Sequence, residues 1–356
     1  MDGLKVALSL FVFAVLHVAA CQAQSPKQIE QLERLLQRFP QADTNRDGTL
    51  TREEARQFAA QRRDQRGTRE EAQNAVPPDH ADIVYGPHER HRIDLWLAES
   101  DQPTPLLVCI HGGGFRGGDK RSWRRNTQLI QRMLKAGISV AAINYRLTDG
   151  GRHPFPIPMH DGARAIQFLR HHAGKYNLDK QKVAATCGSA GGCMSMWLGF
   201  HDDLADKDNP DPIARESTRL VAVAPNNGQS CLHMPTLQKW FQVDSLTEHP
   251  ALRPFFGLPA EGPLELTADY EALAHEASAI EYVTPDDPPC YMTFGANVPI
   301  DGDSAPGLWV HHPMMGFRLK QRMQEAGVPC YVQVKGERAV NEFSDQTTFL
   351  IQKLTQ

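Results

Sequence analysis

At 356 residues, 41% hydrophobic and 22% charged, the chain carries enough apolar content for one large α/β domain plus a small appendage, and is neither disordered nor fibrous in composition. A net charge of -4, with acidic and basic residues interleaved, gives no electrostatic case for nucleic acid. The one local basic run, Arg62, Arg63, Arg66 and Arg69, reads as a solvated helix face or linker.

Residues 1–23 read as a signal peptide. Lys5 precedes an apolar run from Val6 to Leu16 that is too short for a stable membrane span but suits a signal h-region, so the protein is expected to be exported. Two processing outcomes stay open: cleavage after Ala23, leaving a periplasmic or secreted protein, or lipid attachment at Cys21, because Val18-Ala19-Ala20-Cys21 resembles a bacterial lipobox. An anchor at Cys21 is then the expected route to a membrane. Export permits disulfides, yet Cys109 and Cys187 end apolar runs and fit small buried side chains equally well, and spacing assigns no bridge.

Residues 24–64 read as a helix-loop-helix. Between the amphipathic runs Ile29/Leu32/Leu35/Leu36/Phe39 and Ala55/Phe58/Ala59 lies a loop with oxygen donors at Asp43, Asn45, Asp47, Thr49 (through its carbonyl), Thr51 and Glu54. Gly48 takes the sixth position and Leu50 the eighth. That is the full donor pattern of an EF-hand, and it predicts Ca²⁺ as the bound ion, in a structural rather than sensing role. A metal-free Asx-rich turn between helices is the alternative.

Residues 65–78, closing on Val76-Pro77-Pro78, form a linker, and 79–356 is the main domain. Ile83–Tyr85 and Ile93–Leu97 suggest an opening strand pair. Apolar strand-like runs then follow at 105–110, 138–145, 182–187, 219–224, 290–295 and 329–335, alternating with helical patterns at 124–136, 159–173, 191–201, 312–326 and 341–354. This order predicts an α/β fold with a doubly wound, mostly parallel sheet. Residues 226–285, rich in proline and aromatic side chains, are too long for one connection and suggest a cap-like insertion.

Two motifs carry the chemistry. Val183–Cys187 is a strand-like run that stops at Gly188-Ser189-Ala190-Gly191-Gly192, after which 193–200 reads as a buried helix: strand, sharp turn, helix, with Ser189 as candidate nucleophile. The pattern is G-x-S-x-G with Cys187 in place of the first glycine. The second motif, His111-Gly112-Gly113-Gly114, follows the apolar run 106–110. Its lack of a Lys-Ser/Thr pair argues against phosphate, while paired with the serine turn it supplies an oxyanion hole from the N–H groups of Gly113, Gly114 and Ala190. With Tyr145-Arg146, these residues resemble the α/β-hydrolase esterases related to hormone-sensitive lipase and the bacterial carboxylesterase/feruloyl-esterase group, over roughly 79–356. The resemblance implies a small-molecule or glycan ester as substrate, with short acyl, acetylated-sugar and feruloyl esters all compatible, and no cofactor for catalysis.

It also implies an acid after the 290–295 strand and a histidine near 335–341. Here Asn297 and Val298 stand in the acid's place, and no histidine follows His312. The nearest carboxylates are Asp301 and Asp303, and His311 or His312 is the base that chain order leaves available. Two readings therefore stay open: a carboxylesterase-like serine hydrolase with a relocated base, or a pseudo-hydrolase that binds an ester, peptide or glycan without cutting it. His111 is expected to brace the oxyanion loop. Asp161 reads as a helix-start residue facing unpaired N–H groups, His160 and His171-His172 as surface, and Asn226–Gln229 as pocket lining or a polar turn. Asp, Glu and His in the hydrolase segment are not spaced like ligands of a catalytic metal.

Overall fold

The structure, a computed structural model, describes residues 26–43, 47–51, 54, 55, 58, 75–338 and 342–356. The signal segment and the Cys21 processing site lie outside the described residues, as do Asn45 and most of the linker. The chain divides into two compact units at Gln73/Asn74.

In the first unit, helix α1 (Pro26–Arg38) leads through a single 3₁₀ turn at Pro40–Ala42 into the loop that starts at Asp43. Gly48 sits at φ +83°, a left-handed conformation that glycine adopts without steric cost. The Phe39 and Phe58 rings, one before the loop and one after it, pack 5.5 Å apart.

The second unit is built on one eight-stranded sheet in the order β1-β2-β4-β3-β5-β6-β7-β8. Strands β1 (His80–Val84) and β2 (Arg92–Trp96) pair antiparallel, and β2 pairs antiparallel with β4 (Ser139–Ile143). From β4 onward every pairing is parallel, through β3 (Thr104–Ile110), β5 (Leu178–Gly188), β6 (Ala222–Asn226), β7 (Cys290–Phe294) and β8 (Cys330–Val334). The central strands are buried on both faces, which is why they read as unbroken apolar runs.

Side chains that alternate along a strand enter two separate cores. Leu106, Val108 and Ile110 join Ala141 and Ile143 on one face, while Leu107 and Cys109 join Val140 and Ala142 on the other. The first core is covered by α3 (Ile157–His171), α4 (Ala190–Phe200) and α9 (Met314–Glu325), the second by α2 (Thr127–Lys135) and α10 (Gln346–Thr355). The expected doubly wound sheet is therefore the observed one, with the order of an α/β hydrolase. Within 226–285 the chain forms α5 (Met234–Phe241), α6 (Leu252–Phe256) and α7 (Ala268–Glu276). The short α8 (Pro306–Trp309) precedes α9. All six cysteines among the described residues are free and buried.

A buried charge cluster ties the antiparallel edge to the segment after the glycine loop. Asp94 on β2 is fully buried and receives Lys120 Nζ at 2.5 Å and Arg124 Nη2 at 2.7 Å, while Lys120 also reaches Asp82 at 2.7 Å.

Candidate active site

The serine turn is where β5 gives way to α4. Ser189 adopts φ 52° and ψ -120°, a strained conformation for a residue with a side chain, held by its N–H donating to Asn226 O at 2.9 Å. Small neighbours are obligatory here. A Cβ on Gly191 would lie 2.6 Å from the Ile110 carbonyl oxygen, and one on Gly112 would lie 2.6 Å from that of Gly188. Cys187 escapes this limit because its side chain points at α4, where Ser195 Oγ lies 2.9 Å from its sulfur. Departure from glycine at that position is thus accommodated by a small residue on the facing helix.

The glycine loop presses against the same turn. Gly113 (φ +111°) and Gly114 (φ +60°) bring their backbone to the cavity that Ser189 and Ala190 also line. His111 braces the loop: one ring nitrogen meets Gly112 O at 2.8 Å and the other meets Arg90 Nη2 at 3.2 Å. Arg90 can only donate, so Nε2 accepts and Nδ1 carries the proton. Burial drives this imidazole down to about 4, so it remains neutral near pH 7 and holds that tautomer. Tyr145 stacks on the His111 ring and donates to its backbone carbonyl at 2.9 Å.

The next residue, Arg146, explains Asp161. Helix α3 starts at Ile157 rather than at the histidine-aspartate pair, since prolines are tolerated in a first turn, and this places Asp161 beyond the helix start. Its carboxylate takes the Arg146 backbone N–H at 2.9 Å and the guanidinium at 2.9 and 2.7 Å, with His91 Nε2 3.1 Å away. Burial alone would raise this carboxyl, but the Arg146 and His91 contacts overcome it and hold it at about 2. Asp161 is therefore a clamp on the Tyr145-Arg146 segment and not a helix-start residue.

His311 completes the site. Its Nε2 lies 2.8 Å from Ser189 Oγ, and its Nδ1 lies 3.0 Å from the Gly307 carbonyl oxygen one helical turn earlier. His312 faces elsewhere: its Nδ1 accepts from Met314 N at 3.0 Å and its Nε2 meets Val298 O at 2.8 Å, which occupies both nitrogens. Of the two histidines, the structure brings only His311 to the serine.

Asp301 and Asp303 are not joined to either ring. Asp301 turns back on its own loop, accepting from Ser304 Oγ at 2.8 Å and from Asp303 N at 3.1 Å, and both aspartates are exposed. A carboxylate partner for His311 is thus replaced by a main-chain carbonyl. Gln229, which the sequence leaves as pocket lining or part of a polar turn, lines the cavity: its amide donates to Val310 O at 2.7 Å and to Asn227 O at 2.8 Å, tying the histidine loop to the turn after β6. The only sequence signal for it was a polar cluster at the carboxyl end of an apolar strand.

Two cavities meet at Ser189 and His311. One, of about 490 Å³, is walled by Phe115, Leu232, Leu252, Phe255 and Val310, with Arg116, His249 and Gln229 as polar members. The other, of about 640 Å³, is lined by Asn226, Asn227, Gly295, Val298, Gly307 and His312.

Comparison with known proteins agrees with this architecture. The probable carboxylic ester hydrolase LipM of Mycobacterium tuberculosis is 28% identical over 221 residues, 61% of this chain and 47% of that protein. Esterase LipQ of the same organism is 27% identical over 229 residues, 62% and 49% respectively. The chain thus spans about half the length of these curated relatives. Among solved structures, a truncated carbohydrate esterase from gut microbiota superposes with TM-score 0.60 at 19% identity, over 80% of this chain and 98% of that one. An acetyl ester-xyloside bifunctional hydrolase from Caldicellulosiruptor lactoaceticus gives 0.57 at 18%, over 78% and 96%. These structural likenesses carry the α/β-hydrolase fold. The BD-FAE family model matches residues 93–300, from β2 past the end of β7 and across both the glycine loop and the serine turn, and the chain belongs to that family.

Proposed function

We propose that the protein is a serine esterase that cleaves carboxylic esters by acyl transfer. The 2.8 Å contact between Ser189 Oγ and His311 Nε2 carries this reading. A carbonyl oxygen only accepts, so Gly307 fixes the proton on His311 Nδ1 and leaves Nε2 as the base. Ser189 Oγ attacks the ester carbonyl carbon while its proton passes to Nε2. The resulting oxyanion is met by the N–H groups of Gly113, Gly114 and Ala190, and the imidazolium returns the proton to the departing alcohol. Water then enters by the same route and releases the acid. The binding-only alternative drew its support from the missing base, and the His311 geometry favours catalysis over it.

The apolar cavity suits the acyl group, and the asparagine-lined cavity suits a polar alcohol such as a sugar hydroxyl. Relatives described as acetyl esterases and carbohydrate esterases are in keeping with a small acyl group on a glycan. A fluorophosphonate probe tests the assignment: it should label the wild type and not Ser189→Ala, and equal labelling of the two would refute it.

The same reading gives residues 43–54 a calcium ion. Asp43, Asp47 and Glu54 are hard oxygen donors gathered on one short loop. Asp43 Oδ2 accepts from Gly48 N at 2.9 Å, Asp47 Oδ1 from Thr49 N at 2.8 Å, and Glu54 Oε2 from Thr51 N at 3.0 Å. Asp43 and Glu54 are both buried, which suits carboxylates serving an ion. Thr49 and Thr51 would add a carbonyl and a water-bridged contact, and Asn45, outside the described residues, the remaining side chain. Export, with release after Ala23 or a lipid at Cys21, is part of the proposal and is decided by mass spectrometry of the mature N-terminus.

A further inference from the structure

A second cluster of ligating side chains lies in the 226–285 insertion, away from the serine. One ring nitrogen each of His233 and His275 and a carboxylate oxygen of Glu271 lie within 4.8 Å of one another. Among the described residues it is the one such group of three. Glu271 and His275 are one turn apart on α7 and so share a face, and His233 is the residue immediately before α5. The two helices are already held together here, since Met234 N donates to Tyr270 Oη at 3.3 Å.

Each imidazole also has a polar partner outside the group of three. Thr236 Oγ1 lies 2.8 Å from His233 Nδ1, which leaves His233 Nε2 facing Glu271 Oε2 at 2.6 Å. Glu281 Oε1 lies 3.2 Å from His275 Nδ1. The His233 and His275 rings sit with centroids 4.3 Å apart. A hydrogen-bonded partner on the outer nitrogen is the arrangement that fixes the tautomer and basicity of metal-bound histidines. His233 and Glu271 as a plain pair would explain one contact, but not a second imidazole drawn to the same point with a carboxylate partner of its own.

We infer that His233, Glu271 and His275 form a binding site for a divalent transition metal, zinc by its donor set of two imidazoles and one carboxylate, with water in the fourth position. Spacing alone does not reveal the group, because His233 is brought to the Glu271/His275 helix face only by the fold. The metal would act as a brace. Leu232, immediately before His233, walls the cavity at Ser189, so a filled site pins that wall to α7.

The test uses the full mature chain, stripped with chelator and then held in excess Ca²⁺ so that any calcium loop is saturated. After incubation with zinc chloride and desalting, metal content is read by mass spectrometry and unfolding by thermal melt. The wild type should retain about one zinc per chain and melt several degrees higher with zinc than without. His275→Gln, at a half-exposed position where folding is not at stake, should lose both. Glu281→Gln should weaken retention roughly 10- to 100-fold, as loss of an orienting partner does. Wild type that retains no zinc, or as much as His275→Gln, overturns the site.

Discussion

His311 Nδ1 is hydrogen-bonded to the carbonyl oxygen of Gly307, four residues earlier in the same segment, and, among the described residues, not to any carboxylate. A carbonyl fixes the tautomer as well as an aspartate does, but brings no negative charge to meet the imidazolium that forms during acyl transfer. If that is the whole of the base's support, the two nearby aspartates are dispensable. Asp301→Asn and Asp303→Asn should each leave kcat/KM on a nitrophenyl acetate within about twofold of wild type. A loss of a hundredfold or more in either would show that the loop rearranges to bring a carboxylate onto His311.

Gln229 positions the base without being the base. Its amide holds the carbonyl of Val310, next to His311, so Gln229→Leu should let the imidazole drift from Ser189. Misplacement by about 1 Å costs on the order of 100-fold in rate. We expect kcat to fall by about that factor with KM changed far less. A rise in KM alone would make Gln229 a substrate contact.

Ser189 and the glycine loop were legible because their chemistry demands tiny residues at fixed places beside apolar strands, and such a pattern survives in one dimension. The sheet was legible for a related reason: strands buried on both faces leave continuous apolar runs, as at 106–110 and 183–187. The choice between His311 and His312 was not. Both sit in one loop, and it is the short helix Pro306–Trp309 that aims one at the serine and leaves the other with Val298 and Met314. The acid was illegible in principle, because a main-chain carbonyl has no side-chain signature. Asp161 was misplaced by a few residues of helix start, enough to turn a clamp into a cap.

The neutral His111 makes stability depend on pH. Its native value of about 4 lies below the 6.5 of an unfolded histidine, so between these values the unfolded chain binds a proton that the native state refuses. Stability is therefore full above about pH 6.5 and is lost as pH falls toward 4, by on the order of 3 kcal/mol from this group. Urea unfolding of wild type and His111→Gln at pH 7.5 and pH 4.5 should show the gap between them shifting in favour of the variant at low pH. A gap that does not move would mean His111 is protonated in the native state.

Asp94 and Lys120 test the buried charge cluster. Removing one partner leaves an uncompensated charge in the interior, so Asp94→Ala should cost about 3–5 kcal/mol in urea unfolding. Replacing both with apolar residues should recover part of that loss. A single variant as stable as wild type would indicate that water reaches the pair.

The Ser189–His311 dyad is tested most directly by the rate of ester hydrolysis by wild type, Ser189→Ala, His311→Ala and the double variant on the same short acyl ester. Members of one catalytic unit are not additive. Each single variant should lose nearly all of the activity, on the order of 10⁴-fold or more, and the double variant no more than either alone. Wild-type activity that survives His311→Ala, or losses that multiply in the double variant, would contradict a Ser189–His311 dyad.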